Sequence, residues 1–305
     1  MRDYAPIRRG KRRFDDDEAF SAKRKSRPAA PPSEDVLDTV DGLPEGDRWS
    51  TWDRSTAGER GPRPHPDWLI ADLAAVDTDL GVLKTGKEAD VSLLRRHVPQ
   101  TDRSCLLAAK RYRSAEHRMF HRDAGYLEGR RVKESRTNRA IANRTSFGRE
   151  VIAAQWAGAE FAALCQLFQA GVPVPYPVQV LGTEVLLEFI GDADGVAAPR
   201  LAEARLHGSE LVGVWEQLVE ALVVLARHGL AHGDLSAYNL LVHEGRLVLI
   251  DLPQVVDVVA NPRGAAYLDR DAANVGRWFT ARGLTGVATD PQELAALLRR
   301  EARLG

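Results

Sequence analysis

The stretch HGDLSAYNLLVHEGRLVLIDL, residues 232–252, decides how this chain is read. It is dense in apolar residues, yet Asp234, Asn239 and Asp251 interrupt it where a strand or a tight turn should be quiet. LLVH and RLVLID are two short apolar strands joined by Glu244-Gly245, a hairpin signal, and the apolar helix LVGVWEQLVEALVVLARHG (211–229) runs straight into them. A loop that leaves a helix and offers Asp, then Asn five residues on, then Asp at the end of the next hairpin brings three oxygen-rich side chains to one edge. Mg²⁺ prefers hard oxygen ligands and takes few from the protein, leaving the rest to phosphates and water. Asn239 and Asp251 fit that role. Asp234, not needed for a metal, fits a group that accepts a proton from an attacking hydroxyl. Singly, each could be an ordinary turn residue; three at this spacing argue for chemistry. His232 reads as a brace for the loop, and His243 as a half-exposed strand residue.

A phosphate site also needs positive charge from elsewhere in the chain. In SCLLAAKRY (104–112), Lys110 ends an apolar strand. A lysine so placed needs a carboxylate to orient it. Glu160, inside the helix GREVIAAQWAGAEFAALCQLFQAG (148–171), is the candidate; Glu150 competes but sits at the helix start, where the helix dipole accounts for it. Upstream, GVLKTGKEADVSLL (81–94) reads as strand, turn, strand. Its Gly81-x-x-x-x-Gly86-Lys87 matches most of a Walker A loop, but Glu88 stands where such a loop needs Ser or Thr to hold Mg²⁺. Residues 84–90 are therefore expected to link two strands, with backbone N–H groups, Thr85 and Lys87 covering phosphates.

Around these motifs, PDWLIADLAAV (66–76) suggests a short helix, VQVLG and EVLLEFI (178–190) two strands, and residues 268–282 and 290–303 two amphipathic helices, the second capped by Asp290 with Pro291 at its first position. A sheet with one helix, a short connection, then helices with a hairpin is the order of an α+β, two-lobed protein-kinase-like fold. Residues 1–65 are expected to form a disordered tail and linker, because charge blocks such as RRGKRR and DDDE alternate with PAAPPS and cannot bury enough apolar area to offset chain entropy. Trp49 and Trp52 stand in the Gly/Pro-rich part of that linker. The first lobe is expected over 66–190, including a long basic connection, 111–149, with eleven Lys or Arg against four Asp or Glu; the second lobe is expected over 191–305.

The formal net charge of −1 argues neither for nor against a nucleic-acid partner. Cys105 and Cys165 are the two cysteines and have no CxxC spacing, so a disulfide framework or zinc site is not expected. No stretch reads as the roughly 18–20 uncharged apolar residues that span a bilayer, and the expectation is a cytoplasmic protein without a membrane partner.

Together, TGKEADV, AAK, the helix glutamate, LLEFIG, HGDLSAYNLL and IDLPQ resemble, in this order, the RIO family of atypical serine/threonine protein kinases over about residues 66–285. HGD-x-x-x-x-N matches the spacing of the kinase pattern H-R-D-x-x-x-x-N. TGKEA resembles the first RIO subfamily, whereas IDLPQ is nearer the IDFPQ of the second; the lack of a preceding winged-helix domain favours a bacterial or archaeal-type member similar to the first. The resemblance implies ATP and Mg²⁺ as cofactors, phosphate contacts from Thr85, Gly86 and Lys87, and Lys110 paired with Glu160. It places adenine against Glu188-Phe189-Ile190 behind Leu187, makes Asp234 the catalytic aspartate, and makes Asn239 and Asp251 metal ligands. In this family the metal-loop aspartate can itself take up phosphate, so Asp251 is also a candidate nucleophile in an ATPase-like cycle. The implied substrate is a protein serine or threonine, or the chain itself. Gly233 replaces the usual arginine, no APE follows, and 54 residues remain after Asp251, so the second lobe is truncated and no activation-loop switch is expected.

Two other readings stay open on sequence. A small-molecule phosphotransferase of the aminoglycoside or choline kinase kind shares HGD-x-x-x-x-N, although TGKEA and IDLPQ speak against it. An RNA-associated assembly factor with a nucleotide-timer site, acting on RNA or a ribosomal particle, is motivated by the basic segments, since Lys and Arg clusters bind phosphate backbones non-specifically.

Overall fold

The computed structural model describes residues 47–113, 146–252, 255–284 and 289–304, which belong to a single compact unit. Most of the expected tail, residues 114–145 of the basic connection, and Pro253-Gln254 of IDLPQ lie outside the described residues.

The first lobe is built on β1 (Asp47–Trp49), β2 (Val76–Thr85), β3 (Ala89–His97), β4 (Ser104–Tyr112), helix α1 (Ser146–Gln169), β5 (Pro177–Leu181) and β6 (Glu184–Glu188). The strands form one antiparallel sheet in the order β1-β2-β3-β4-β6-β5. The second lobe carries α2 (Ser209–Arg227), β7 (Leu230–Ala231), the hairpin β8 (Leu240–His243) and β9 (Arg246–Leu249), β10 (Val256–Asp257), α3 (Gly264–Ala281) and α4 (Pro291–Glu301). This is the expected two-lobed, kinase-like architecture.

Local chemistry explains the boundaries. Glu244 and Gly245 both take positive φ, 49° and 73°, as a two-residue hairpin turn demands. The Asp290 carboxylate accepts from the Gln292 amide at 2.8 Å and opens α4 with Pro291 behind it. The short helix expected over 66–76 is absent. Asp72 folds back to accept from the Ala74 amide at 3.0 Å, a local turn that competes with helix, and Val76 already belongs to β2.

The strands of the sheet carry apolar side chains on both faces, so both need cover. On one face, Ala89, Tyr112 and Val185 pack against Ala153, Ala157 and Phe161 of α1. On the other, Leu94, Leu107, Ala109 and Leu186 pack with Trp52, Leu69 and Tyr176. The boundary expected at residue 65 therefore moves: residues 47–65 are part of the first lobe. Trp52 is 5% exposed and Trp49 ends a strand paired with β2. Gly61 donates to the carbonyl of Val178 at 2.9 Å, and a Cβ there would meet the Pro177 carbonyl oxygen at 1.9 Å, so glycine alone fits the approach. The second-lobe core joins Leu164 and Leu167 of α1 to Leu218, Leu222 and Leu225 of α2 and to Leu268, Val275 and Phe279 of α3.

One stretch, Glu150–Gln169 of α1, is long and apolar enough by length and composition to cross a membrane, where none was expected. In the fold, Ala157, Phe161, Leu164 and Leu167 are spent on packing, and the same helix buries the charged Glu160.

The outer face also holds a buried polar network. Arg96, fully buried, donates through Nε and Nη2 to both oxygens of Asp77 at 2.7 and 2.9 Å and reaches Gln179 Oε1 at 3.3 Å; Gln179 donates in turn to Thr51 Oγ1 at 2.7 Å. Nearby, Glu184 accepts from Arg48 at 2.5 Å and Arg111 at 2.6 Å. Burial alone would raise the Glu184 carboxyl, but the two guanidiniums outweigh it and hold its pKa below the ordinary 4.5.

Two outcomes follow. Arg96→Ala removes the two-pronged partner of the buried Asp77 carboxylate, leaving it the more distant Arg48 at 3.8 Å, and should cost about 3–5 kcal/mol of stability, read as a lowered urea midpoint. Glu184 stabilises the fold above its unfolded pKa, and that contribution is lost as pH falls through its lower folded value. Glu184→Gln should therefore flatten the decline of stability below about pH 4.5, measured as urea midpoints across an acid series.

Candidate active site

Lys110 sits near the end of β4 between Val91 of β3 and Val185 of β6, on the face covered by α1. Strand geometry aims it at α1, and helix geometry brings Glu160 to meet it. Lys110 Nζ donates to Glu160 Oε1 at 2.6 Å and to Asp251 Oδ1 at 3.1 Å. Glu160 is 2% exposed, and its second oxygen accepts from the Tyr112 hydroxyl at 2.5 Å, so its orientation is set from two directions. Burial works against the ammonium, yet Glu160 and then Asp251 outweigh it and raise the Lys110 pKa. Burial likewise pushes up the Asp251 carboxyl, but Lys110 and then Lys84 reverse this and hold it below the usual carboxylate range. Asp251 is thus an anion in a left-handed backbone conformation, φ 63°, at the exit of β9. An ammonium has three donors, and two are engaged here.

The loop between β7 and β8 presents Asp234 to solvent while its neighbours are held down. Gly233 takes φ 85° to make the bend. Asp271 of α3, 1% exposed, accepts from the amides of Gly233 at 2.9 Å and Leu235 at 3.1 Å, clamping the chain on either side of Asp234. Asn274, one turn along α3, donates to the Leu235 carbonyl at 3.1 Å. Burial outweighs the two amides at Asp271 and raises its pKa. His232 braces the loop as expected: its Nε2 meets the Ile250 carbonyl at 3.2 Å. Asn239 Nδ2 donates to the Asp234 carbonyl at 2.9 Å, and the Ile250 amide donates to the Asn239 carbonyl at 3.0 Å, so loop and hairpin are stitched together. His243 is half-buried in β8.

With its amide donor used in this way, Asn239 keeps a carbonyl oxygen, and Asp251 keeps a second carboxylate oxygen. Among the described residues no group of three or more His, Cys, Asp or Glu converges. A cation here would rest on Asn239 and Asp251 and complete its shell from phosphates and water, which is a donor set that suits Mg²⁺.

The remaining expected residues divide. Glu188 ends β6 opposite Leu107, its backbone amide donates to the Tyr176 carbonyl and its side chain accepts from the Tyr176 amide, both at 2.9 Å. Leu187 packs against both the α1-side cluster and the second-lobe core, and the Ile190 carbonyl accepts from Ala198 at 2.9 Å. These residues line the strip that joins the lobes. The tip between β2 and β3 is different. Thr85 pairs with Asp90 on the face opposite Lys110, Asp90 is held by Arg113, and the Gly86 amide is already spent on the Ala89 carbonyl at 2.9 Å. Lys87 is exposed at the turn. Among the described residues, none of Thr85, Gly86 and Lys87 forms a hydrogen bond or ion pair with Lys110, Glu160 or Asp251. The turn passes from strand to strand rather than into a helix, which removes the Walker A reading.

Tyr112, Asp271 and Asn274 escaped the sequence reading. Asp271 and Asn274 interrupt the apolar stripe of Leu268, Ala272, Val275 and Phe279; a carboxylate and an amide three residues apart on a buried helix face is the signal that would have found them. Volume alone would have misled: a cavity of about 670 Å³ lies behind α1, lined by Gly158, Phe161, Cys165 and Val180, and none of the charged cluster touches it.

A family model described as the RIO domain matches residues 101–293, more than half of the chain. The chain is 41% identical over 128 residues to "RIO-type serine/threonine-protein kinase Rio1" of Haloferax volcanii, covering 42% of this chain and 43% of that protein. It is 32% identical over 213 residues to "Serine/threonine-protein kinase RIO1" of Chaetomium thermophilum, covering 67% of this chain and 40% of that one. With the Rio1 protein of Thermoplasma acidophilum it shares 30% identity over 146 residues, covering 48% of this chain and 73% of the relative. The match thus spans less than half the length of the first two relatives. The family model covers the lysine strand, α1, the clamped loop and the hairpin in one continuous segment, and the chain belongs to the RIO domain family.

Proposed function

We propose that this chain is an ATP- and Mg²⁺-dependent RIO-type serine/threonine protein kinase. The observation that carries this reading is the convergence of Lys110 with Glu160 from one lobe and Asp251 from the other, beside a loop built to expose Asp234. A triphosphate entering between the lobes would compete with Asp251 for the Lys110 ammonium, while Glu160, held by Tyr112, keeps that ammonium in place. Adenine would lie along Leu187, Glu188 and Ile190. Mg²⁺ bound by Asn239 and Asp251 would supply positive charge to the phosphates. Asp234 would orient the serine or threonine hydroxyl for in-line attack and accept its proton as the new O–P bond forms and the bond to the ADP oxygen breaks. Asp271 and Asn274 serve this step by fixing the loop from behind.

A second outcome of the same geometry is attack by the Asp251 carboxylate on the terminal phosphate, with ADP leaving and an acyl phosphate formed, followed by hydrolysis. The low pKa of Asp251 favours the anion such a step needs.

Losing a positioned base costs about 10²–10⁴-fold, so Asp234→Asn should keep ATP affinity and lose turnover by about that factor; unchanged turnover would remove Asp234 from the mechanism. Incubation with γ-labelled ATP and Mg²⁺ separates the two routes. Label on serine resists hydroxylamine, whereas label on Asp251 is released by hydroxylamine and disappears in Asp251→Asn. A protein that binds no ATP in the presence of Mg²⁺ would sink both.

A further inference from the structure

The hairpin of β2 and β3 presents Lys84 to the Lys110 cluster. Lys84 is the direct partner of Val91 across β2 and β3, and Val91 is the direct partner of Lys110 across β3 and β4. Directly opposed residues on antiparallel strands share a face, so both lysines project from the same side of the sheet, two strand spacings or roughly 10 Å apart. A register shift between Val82 and Lys84 sets this parity, and the next residue, Thr85, is turned to the other side with Asp90. The rung of Lys84 is also far from the adenine strip: Leu107, opposite Glu188, is three residues along β4 from Lys110, about 10 Å. Lys84 therefore sits at the level of the phosphates, not of the base.

The charges nearest it are Arg200, the Asp251 carboxylate and Lys110. Among the described residues no carboxylate forms an ion pair with Lys84. Arg200 of the second lobe is anchored by donating to the Tyr238 carbonyl at 2.7 Å, inside the loop between Asp234 and Asn239. Burial and then the nearby Arg200 charge push the Lys84 pKa down, Asp251 offsets part of this, and Lys110 adds to the repulsion. An ammonium with no ion-pair partner among the described residues, beside Lys110 on its own sheet face and opposite Arg200 of the second lobe, is a place for a polyanion.

We propose that Lys84 is a direct polyphosphate contact and, with Arg200 on the facing lobe, selects nucleoside triphosphates over less charged nucleotides. This rests on the nucleotide-site reading above and adds Lys84 to the phosphate contacts expected of Thr85, Gly86 and Lys87. The test is calorimetric titration of the full chain with ATP, ADP and adenosine in Mg²⁺, for wild type, Lys84→Ala and Lys84→Arg, with urea midpoints as a fold control. A charge-assisted phosphate contact predicts about a tenfold or greater loss of ATP affinity in Lys84→Ala, a smaller loss for ADP, adenosine within about twofold, and recovery in Lys84→Arg. Equal losses for ATP and adenosine, or ATP affinity unchanged in Lys84→Ala while wild type binds ATP, overturn the Lys84 assignment and leave the site reading standing. A wild-type chain without Mg²⁺-dependent ATP affinity overturns both.

Discussion

The Lys110 ammonium, held at 2.6 Å from Glu160 and 3.1 Å from Asp251, is the interaction on which the rest of the site depends. A buried charge is costly unless paired and hydrogen-bonded, and removing one partner leaves the other stranded. Glu160 is almost wholly buried and is fixed by Tyr112 as well, so its pairing with Lys110 is a permanent part of the first lobe. Asp251 is different: its side chain is 44% exposed and it stands on the other lobe. The ammonium is thus bound firmly on one side and exchangeably on the other, which is the asymmetry an anionic ligand can use.

The second lobe meets this arrangement with rigidity. Asp271 and Asn274 place a carboxylate and an amide under the loop, satisfying backbone groups that would otherwise be buried without partners. Asn239 ties the Asp234 carbonyl, and the Ile250 amide ties Asn239. Asp234 is left exposed on a loop whose backbone has little freedom, so its carboxylate is available without the segment being loose.

The first lobe needs a second cover for its sheet, and residues 47–70 provide it. An apolar strand such as β4 is stable when both faces are shielded. Trp52 and Leu69 supply the apolar part, while Arg96, Asp77, Gln179 and Thr51 satisfy one another where polar groups are buried. Composition made this stretch look like a linker because its glycines, prolines and charges dominate; two buried anchors and a paired strand were enough to fold it.

Much of the architecture was legible because it rests on local periodicity and turn chemistry. The hairpin at Glu244-Gly245, the Asp290 cap, the β4 strand and the pairing of Lys110 with Glu160 each follow from residue type at short range or from motif order. The face on which Thr85 and Lys84 fall was not legible, because a register shift within β2 changes side-chain parity without a mark in composition. Nor were the Asp271 clamp and the cover over the outer face, which join positions dozens of residues apart. By itself, then, the sequence determined which groups could do chemistry and which elements carry them; tertiary structure alone decided which of them share a cleft, because side-chain facing depends on strand register and long-range packing rather than on neighbours along the chain.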